Sequence, residues 1–285
     1  MNRQLHPLEK IVAAAALAAA LALAVGFARA ADPADHVYLR SAVALVQDAQ
    51  SGHVVLEKRS DAVLPIASIT KLMTAMVLLD RGLDLNQRVA ISAEDQDLLK
   101  GTRSRLRPGA MLTRDELLLV ALMSSENRAA AALARTYPGG AEAFVASMNA
   151  KALQLGMTDT RFVDPTGLSP ANVSSARDLA RLVIAASEYP LIRDYSTRES
   201  ASLQVHGRPL GYRNTNGLVR SPQWNIGLQK TGYLNEAGRC LVMRVRLASR
   251  DLVVVLLDSW GKYSRVGDAN RIRKWLESSA GERRG

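Results

Sequence analysis

The sequence has almost no cysteine: Cys240 is the only one in 285 residues. An intramolecular disulfide is therefore impossible, and stability has to come from a packed core. Histidine is nearly as scarce after the first thirty residues, where only His36, His53 and His206 occur. A Ser-His-Asp hydrolase would need one of those three beside its serine. Past residue 30 no apolar run approaches the roughly 20 residues that cross a bilayer, and the polar stretch after Trp275 is too short for an amphipathic anchor. No arginine-rich run or aromatic RNA-binding motif concentrates the formal charge of +10, which argues against nucleic acid as a partner. Internal repeats and long linkers are absent too.

What is present begins with a leader. Arg3 and Lys10 make a basic start, Ile11 to Gly26 an Ala/Leu-rich apolar core, and Ala28-Arg29-Ala30 a small-residue cleavage box. Residues 1–30 read as a secretory signal peptide cut near Ala30. The alternative, a membrane anchor, has an apolar run of only about sixteen residues to work with. Arg3, Lys10 and Arg29 against Glu9 put about +2 in the leader, leaving about +8 on the rest. Outside the cytoplasm such charge faces envelope polymers and lipid head groups, or serves solubility alone. With 48% apolar residues, residues 31–285 suffice for a single domain with a subdomain.

The segment Ala42 to Glu57 predicts a hairpin, two β-rich runs parted by Ala49-Gln50-Ser51-Gly52. From Asp61 to about Tyr195 the pattern turns helical, with apolar residues three and four apart in Lys71 to Asp80, Asp115 to Arg135, Ala141 to Leu155 and Ser175 to Ser187. Strand signals return at Ile226 to Tyr233, Arg239 to Ala248 and Leu252 to Asp258, and a helix closes the chain over about Ala269 to Ser278. Short connectors between those strands imply antiparallel pairing. The expected fold class is α/β of the α+β kind, an antiparallel sheet of about five strands built from both chain ends with a helical insertion over about 61–200.

A serine hydroxyl needs a base to become a nucleophile. Ser68-Ile69-Thr70-Lys71 puts a lysine one helical turn away on the same face, and a helix start offers backbone N–H groups and a positive field to a developing oxyanion. The pattern recurs at Ser259-Trp260-Gly261-Lys262, where glycine after a strand suggests a loop. Ser125-Glu126-Asn127 is a second candidate, shadowed by Ser147-Met148-Asn149 inside an amphipathic helix, and for both a structural use of the polar side chains is an alternative. Lys230-Thr231-Gly232 occurs once, on a strand, and a given tripeptide is expected roughly once in several thousand positions. Glycine there admits a close backbone or ligand, and Lys230 can hold a carboxylate. Ser-x-x-Lys, Ser-Asp-Asn and Lys-Thr-Gly together form the signature of penicillin-binding proteins and class A β-lactamases, and Glu126 stands where that signature has Asp.

Over nearly its whole length past the leader the chain resembles the low-molecular-mass penicillin-binding proteins of the D-alanyl-D-alanine peptidase family. The stretches Pro65 to Lys71, Leu122 to Ala130, Phe162 to Leu168 and Lys230 to Cys240 look like its endopeptidase branch. The resemblance implies a β-lactamase/transpeptidase-like fold, with Ser68 the acylated nucleophile, Lys71 its base and Ser125 a proton relay. It further implies that Asn127 binds the substrate amide, Lys230 and Thr231 the carboxylate, and that Gly232 precedes Tyr233, whose backbone N–H joins that of Ser68 in the oxyanion hole. No metal or organic cofactor is implied; the partners are peptidoglycan stems in the periplasm and β-lactams as covalent inhibitors.

Several activities share such a site. A class A β-lactamase would carry a Glu-x-x-Leu-Asn loop, which is missing. Carboxypeptidases of the family commonly have Ser-Gly-Asn at the second motif, His or Phe then Thr after Lys-Thr-Gly, and a further C-terminal domain. Glu126 and Tyr233-Leu234 depart from that pattern and favour an endopeptidase cutting cross-links. A carboxypeptidase, or a peptidoglycan-binding protein without activity, are the alternatives.

Overall fold

The computed structural model describes residues 37–282, so the leader lies outside the described residues. Strands β1 (Ser41–Asp48) and β2 (Val54–Lys58) form the expected hairpin, Ala44 opposite Lys58. The Asp48 carboxylate fixes its turn by accepting from the Gln50 and Ser51 amides at 3.1 and 2.9 Å. A short strand β3 (Leu64–Pro65) then leads through a 3-10 turn, Ala67–Thr70, into helix α1 (Lys71–Asp80). Every residue of α1 from Lys71 to Leu78 is buried. It is therefore a central helix rather than an amphipathic one, and its first side chain is carried into the interior.

Residues 81–113 depart from the helical pattern expected there. They hold a two-stranded ribbon, β4 (Arg88–Ala90) with β5 (Met111–Thr113), a 3-10 turn at Ala93–Asp95, and otherwise loops. Gly82, Gly101 and Gly109 all take positive φ, which ends helices. The apolar run from Asp115 to Arg135 likewise splits in two: α2 (Arg114–Met123), started by a capping box between Thr113 and Glu116, and α3 (Asn127–Arg135), capped by the Glu126 side chain. Between them Ser125 sits at φ 62°. Helix α4 (Gly140–Gln154), strand β6 (Val173–Ser174) paired with β3, and helices α5 (Ala176–Ala186) and α6 (Pro190–Thr197) complete the middle region.

A hairpin of β7 (Ser200–Val205) and β8 (Arg208–Arg213) leads back to the main sheet. Strands β9 (Asn225–Leu234), β10 (Gly238–Leu247) and β11 (Arg250–Ser259) pair antiparallel in sequence, and β1 lies against β11, Val43 opposite Leu257. The order is β2-β1-β11-β10-β9, the five-stranded antiparallel sheet expected from both chain ends. Cys240 to Met243 and Leu252 to Leu257 are buried without alternation, which requires cover on both faces. Helix α5 and the last helix, α7 (Ser264–Glu282), both pack on β1, β10 and β11. Strand β9 is left at the edge, beside α6 and the 3-10 turn.

Candidate active site

The 3-10 turn that carries Ser68 is held between two glycines. A Cβ on Gly232 of β9 would stand 2.8 Å from the Ile66 carbonyl oxygen and 3.2 Å from the Ser68 nitrogen. One on Gly167 would stand 2.0 Å from the Ala67 carbonyl oxygen. Only glycine lets the strand on one side and the 164–168 loop on the other approach this closely. Ala67 itself is pressed to φ 47°, a conformation that non-glycine residues avoid and that concentrates at functional sites. The 164–168 loop is tied down in turn: the Asp164 carboxylate accepts from the amides of Thr166, Gly167 and Ser169 at 2.6, 2.7 and 2.9 Å, and Thr74 of α1 donates to Pro165 O at 2.6 Å.

Lys71, opening α1 just after that turn, is 1% exposed. Its ammonium donates to Ser68 Oγ at 2.9 Å, Asn127 Oδ1 at 2.7 Å and the Thr166 carbonyl at 2.6 Å. Three N–H groups thus meet three acceptors. Burial pulls this amine down to about 7, against the opposite pull of Asp164, Glu126 and Asp97. Desolvation is thus the first cause of the depression. The charge repulsion between the lysines is felt instead by Lys230, which is lowered well below its ordinary value by burial first, then by Lys71 and Arg265.

Ser125 and Asn127 face this turn from the break between α2 and α3. The left-handed backbone of Ser125 turns its hydroxyl to Lys230, which donates to it at 2.9 Å and to Thr231 O at 2.9 Å. Asn127 uses both ends of its amide, Oδ1 toward Lys71 and Nδ2 toward Thr102 Oγ1 at 3.0 Å. Thr231 is 4% exposed, with its hydroxyl 2.6 Å from that of Thr215. The Tyr233 side chain is 52% exposed and lies under the Arg239 guanidinium at 4.4 Å.

The Tyr233 side chain turns to Arg239 and Asn235, whereas Ser68, Lys71, Ser125, Asn127, Lys230, Thr231 and Gly232 meet between the helical region and β9. The competing motifs do not. Ser259 is buried at the end of β11, 2.6 Å from Ser41 Oγ. Ser147 donates to Ala143 O within its own helix, and Asn149 brackets Phe162 through both backbone groups at 2.8 and 2.9 Å. His53 and His206 are exposed in hairpin turns, and the hydrogen-bond partners of the Ser68 hydroxyl are Lys71 and, at a long 3.4 Å, Thr166 O. Cys240 is buried in β10, opposite Gly232 of β9, with its thiol raised to about 11 by burial, which keeps it protonated. Among the described residues no group of three or more His, Cys, Asp or Glu side chains could hold a metal ion.

Four contributors escaped the sequence reading. Thr166 acts through a carbonyl, which no motif displays. Thr102 and Thr215 lie in polar loops with no periodicity. Arg265 of α7 donates to the carbonyls of Gly232 and Cys240 at 2.7 and 3.1 Å, bracing the strand from behind. Lys100 and Glu236 also pair across the cleft, joining the loop around Thr102 to the β9–β10 turn.

A family model described as D-alanyl-D-alanine carboxypeptidase matches residues 28–260. A Pseudomonas aeruginosa protein called D-alanyl-D-alanine endopeptidase is 51% identical over 242 residues, covering 84% of this chain and 78% of its own. An Escherichia coli K12 protein of the same description is 47% identical over 268 residues, 91% of this chain and 86% of its own. The solved Streptomyces K15 DD-transpeptidase has the same fold at a TM-score of 0.78 and 26% identity, covering 85% of this chain and 98% of that one.

Proposed function

The chain belongs to the D-alanyl-D-alanine carboxypeptidase family, and from that premise we propose that Ser68 attacks the D-alanyl peptide bond of peptidoglycan cross-links. The chain is a serine-type D-Ala-D-Ala peptidase of the endopeptidase kind, like the relatives that are about half identical to it. The observation that carries the chemistry is the buried Lys71 amine, 2.9 Å from Ser68 Oγ and lowered to about 7. Once it has lost its proton it can take the one from Ser68 as the Oγ–C bond forms. Backbone N–H groups of Ser68 and Tyr233 stabilise the oxyanion.

Collapse of that intermediate breaks the C–N bond, and the leaving amine needs a proton. Ser125 accepts a hydrogen bond from Lys230, so its own proton is free to go to the leaving nitrogen; the proton that Lys71 took from Ser68 replaces it, which leaves Lys230 charged and Lys71 neutral for the deacylating water. Lys230 with Thr231 holds the carboxylate of the leaving portion, and Asn127 the amide of the acyl portion. Water then releases Ser68. β-Lactams acylate the same serine and leave slowly: the Asp164 carboxylate is engaged by three backbone amides and the Thr166 hydroxyl and is a poor base for a deacylating water. With the leader-like residues 1–30 and a cell-wall substrate, the place of action is the periplasm. No described helix is long and apolar enough to cross a membrane.

Two measurements test the reading. A fluorescent penicillin should label the purified protein covalently and fail to label Ser68→Ala. Cross-linked muropeptide dimers should be converted to monomers. Loss of only the terminal D-alanine from pentapeptides, with dimers left intact, would make the enzyme a carboxypeptidase instead.

A further inference from the structure

Thr215 belongs to none of the sequence motifs, yet it is built into the site from two sides. Its hydroxyl lies 2.6 Å from the Thr231 hydroxyl, and its backbone N–H donates to Met123 O at 3.1 Å, two residues before Ser125. Its neighbours fix it further. Asn214 is buried and donates to the carbonyls of Ser196 and Arg198, both at 2.9 Å, while its Oδ1 accepts from the Asn216 amide and from Gln229 Nε2, again at 2.9 Å. Gln229, fully buried and one residue before Lys230, also donates to Ser196 O at 2.6 Å. The strip Asn214–Asn216 is thereby fastened to α6, to β9 and to the end of α2. Thr215 is its one exposed member, presented to the cleft beside a Thr231 that is itself buried.

A hydroxyl gives one hydrogen bond and accepts two. Between two threonines either can be the donor, and an anion arriving at Thr231 decides the order. The Thr231 proton turns to the anion, and Thr231 Oγ1 then takes the Thr215 proton. Each bond in such a chain strengthens the next in a site of low dielectric. We infer that Thr215 is a positioning residue for carboxylate recognition, orienting the Thr231 hydroxyl as a donor to the substrate or β-lactam carboxylate that Lys230 draws in. This rests on the reading of Lys230 and Thr231 given above. It also supplies what that reading leaves open, namely which partner prevents Thr231 from spending its proton on the protein.

The test compares a penicillin with its methyl ester, which has the same reactive ring and no carboxylate. Second-order rate constants for acylation of Ser68 are measured for wild type, Thr215→Val and Thr215→Ser. Loss of a hydrogen bond serving a charged group is worth about tenfold or more in rate. Thr215→Val should therefore slow acylation by the acid about tenfold, leave the ester rate unchanged, and be rescued by Thr215→Ser. Equal slowing of acid and ester, or no slowing of either, overturns the inference. A wild-type chain that takes no label at all overturns the Ser68 reading beneath it.

Discussion

Lys71 decides the chemistry through its burial. As an ammonium it satisfies Ser68, Asn127 and Thr166 at once, but it then has no lone pair for the serine proton. Only the neutral amine is a base. Because burial lowers the group to about 7, the neutral form is reached near neutrality rather than above pH 10. Acylation of Ser68 by penicillin should rise about tenfold per pH unit below 7 and level off above it. Stopped-flow or gel labelling from pH 5 to 9 measures this, and a flat profile would exclude Lys71 as the base. Lys71→Arg keeps the charge and cannot lose it, so it should cut acylation by about a thousandfold at every pH.

At the scale of elements, the cleft depends on how closely β9 can approach the nucleophile turn. Gly232→Ala would place a methyl 2.8 Å from the Ile66 carbonyl oxygen, forcing strand and turn apart by a fraction of an ångström. Displacements of about 1 Å cost on the order of a hundredfold in rate, and overpacking costs about 1–3 kcal/mol in stability. Gly232→Ala should show both losses. On the same strand, Gly227→Ala meets only the Arg244 carbonyl oxygen at 3.8 Å and should show neither, as read by acylation rate and urea unfolding. If the two variants behave alike, the close approach is idle. This geometry explains what was readable in advance. Helix α1 begins and ends where periodicity puts it, Lys71–Asp80, and β9 to β11 follow from β-rich runs with short connectors. The break between α2 and α3 was invisible because Ser125 adopts φ 62° without a glycine or proline to mark it. The ribbon of β4 and β5 and the β7–β8 hairpin were missed as well. The ribbon's strands are three residues each, and the hairpin carries Pro209 and Gly211, which read as breakers. Within the site, Ser68, Lys71 and Lys230 stood out as side chains in motifs, whereas the Thr166 carbonyl and the Thr215 hydroxyl become partners only through tertiary contact.

The whole molecule is closed by a joint between its two ends. Asp268 of α7 is fully buried, and its carboxylate accepts from the Arg40 and Ser41 amides at 3.0 and 2.7 Å and from Ser41 Oγ at 2.5 Å, with Arg271 paired alongside. Ser41 Oγ in turn meets Ser259 Oγ at 2.6 Å. One carboxylate thus pins the start of β1, the end of β11 and the last helix, across 227 residues of chain. Burial by itself raises this group; the hydrogen bonds from Ser41 and Arg40 and the Arg271 contact outweigh it and hold it below 3.8. A carboxyl depressed by folding stabilises the native state fully above its unfolded value, and that contribution disappears as the pH falls through the lower folded value. Asp268→Ala removes the shared acceptor of three hydrogen bonds and the partner of Arg271, and should cost about 3 kcal/mol at pH 7. Asp268→Asn keeps part of the bonding, should cost less, and provides a folded variant if the alanine form does not fold. Both should flatten the loss of stability expected of the wild type below pH 4. Ser68, Ser125 and Lys230 are set by the two glycine contacts and the α2–α3 break, and Arg265, which braces β9 from the same helix as Asp268, keeps its own bonds to the Gly232 and Cys240 carbonyls in either variant. The folded fraction of either variant should therefore acylate at the wild-type rate constant. Urea unfolding at pH 3 to 7, with penicillin labelling of the same samples, reads both quantities. Unchanged stability would show the joint to be idle, and a lowered rate constant would show that sheet closure reaches the nucleophile.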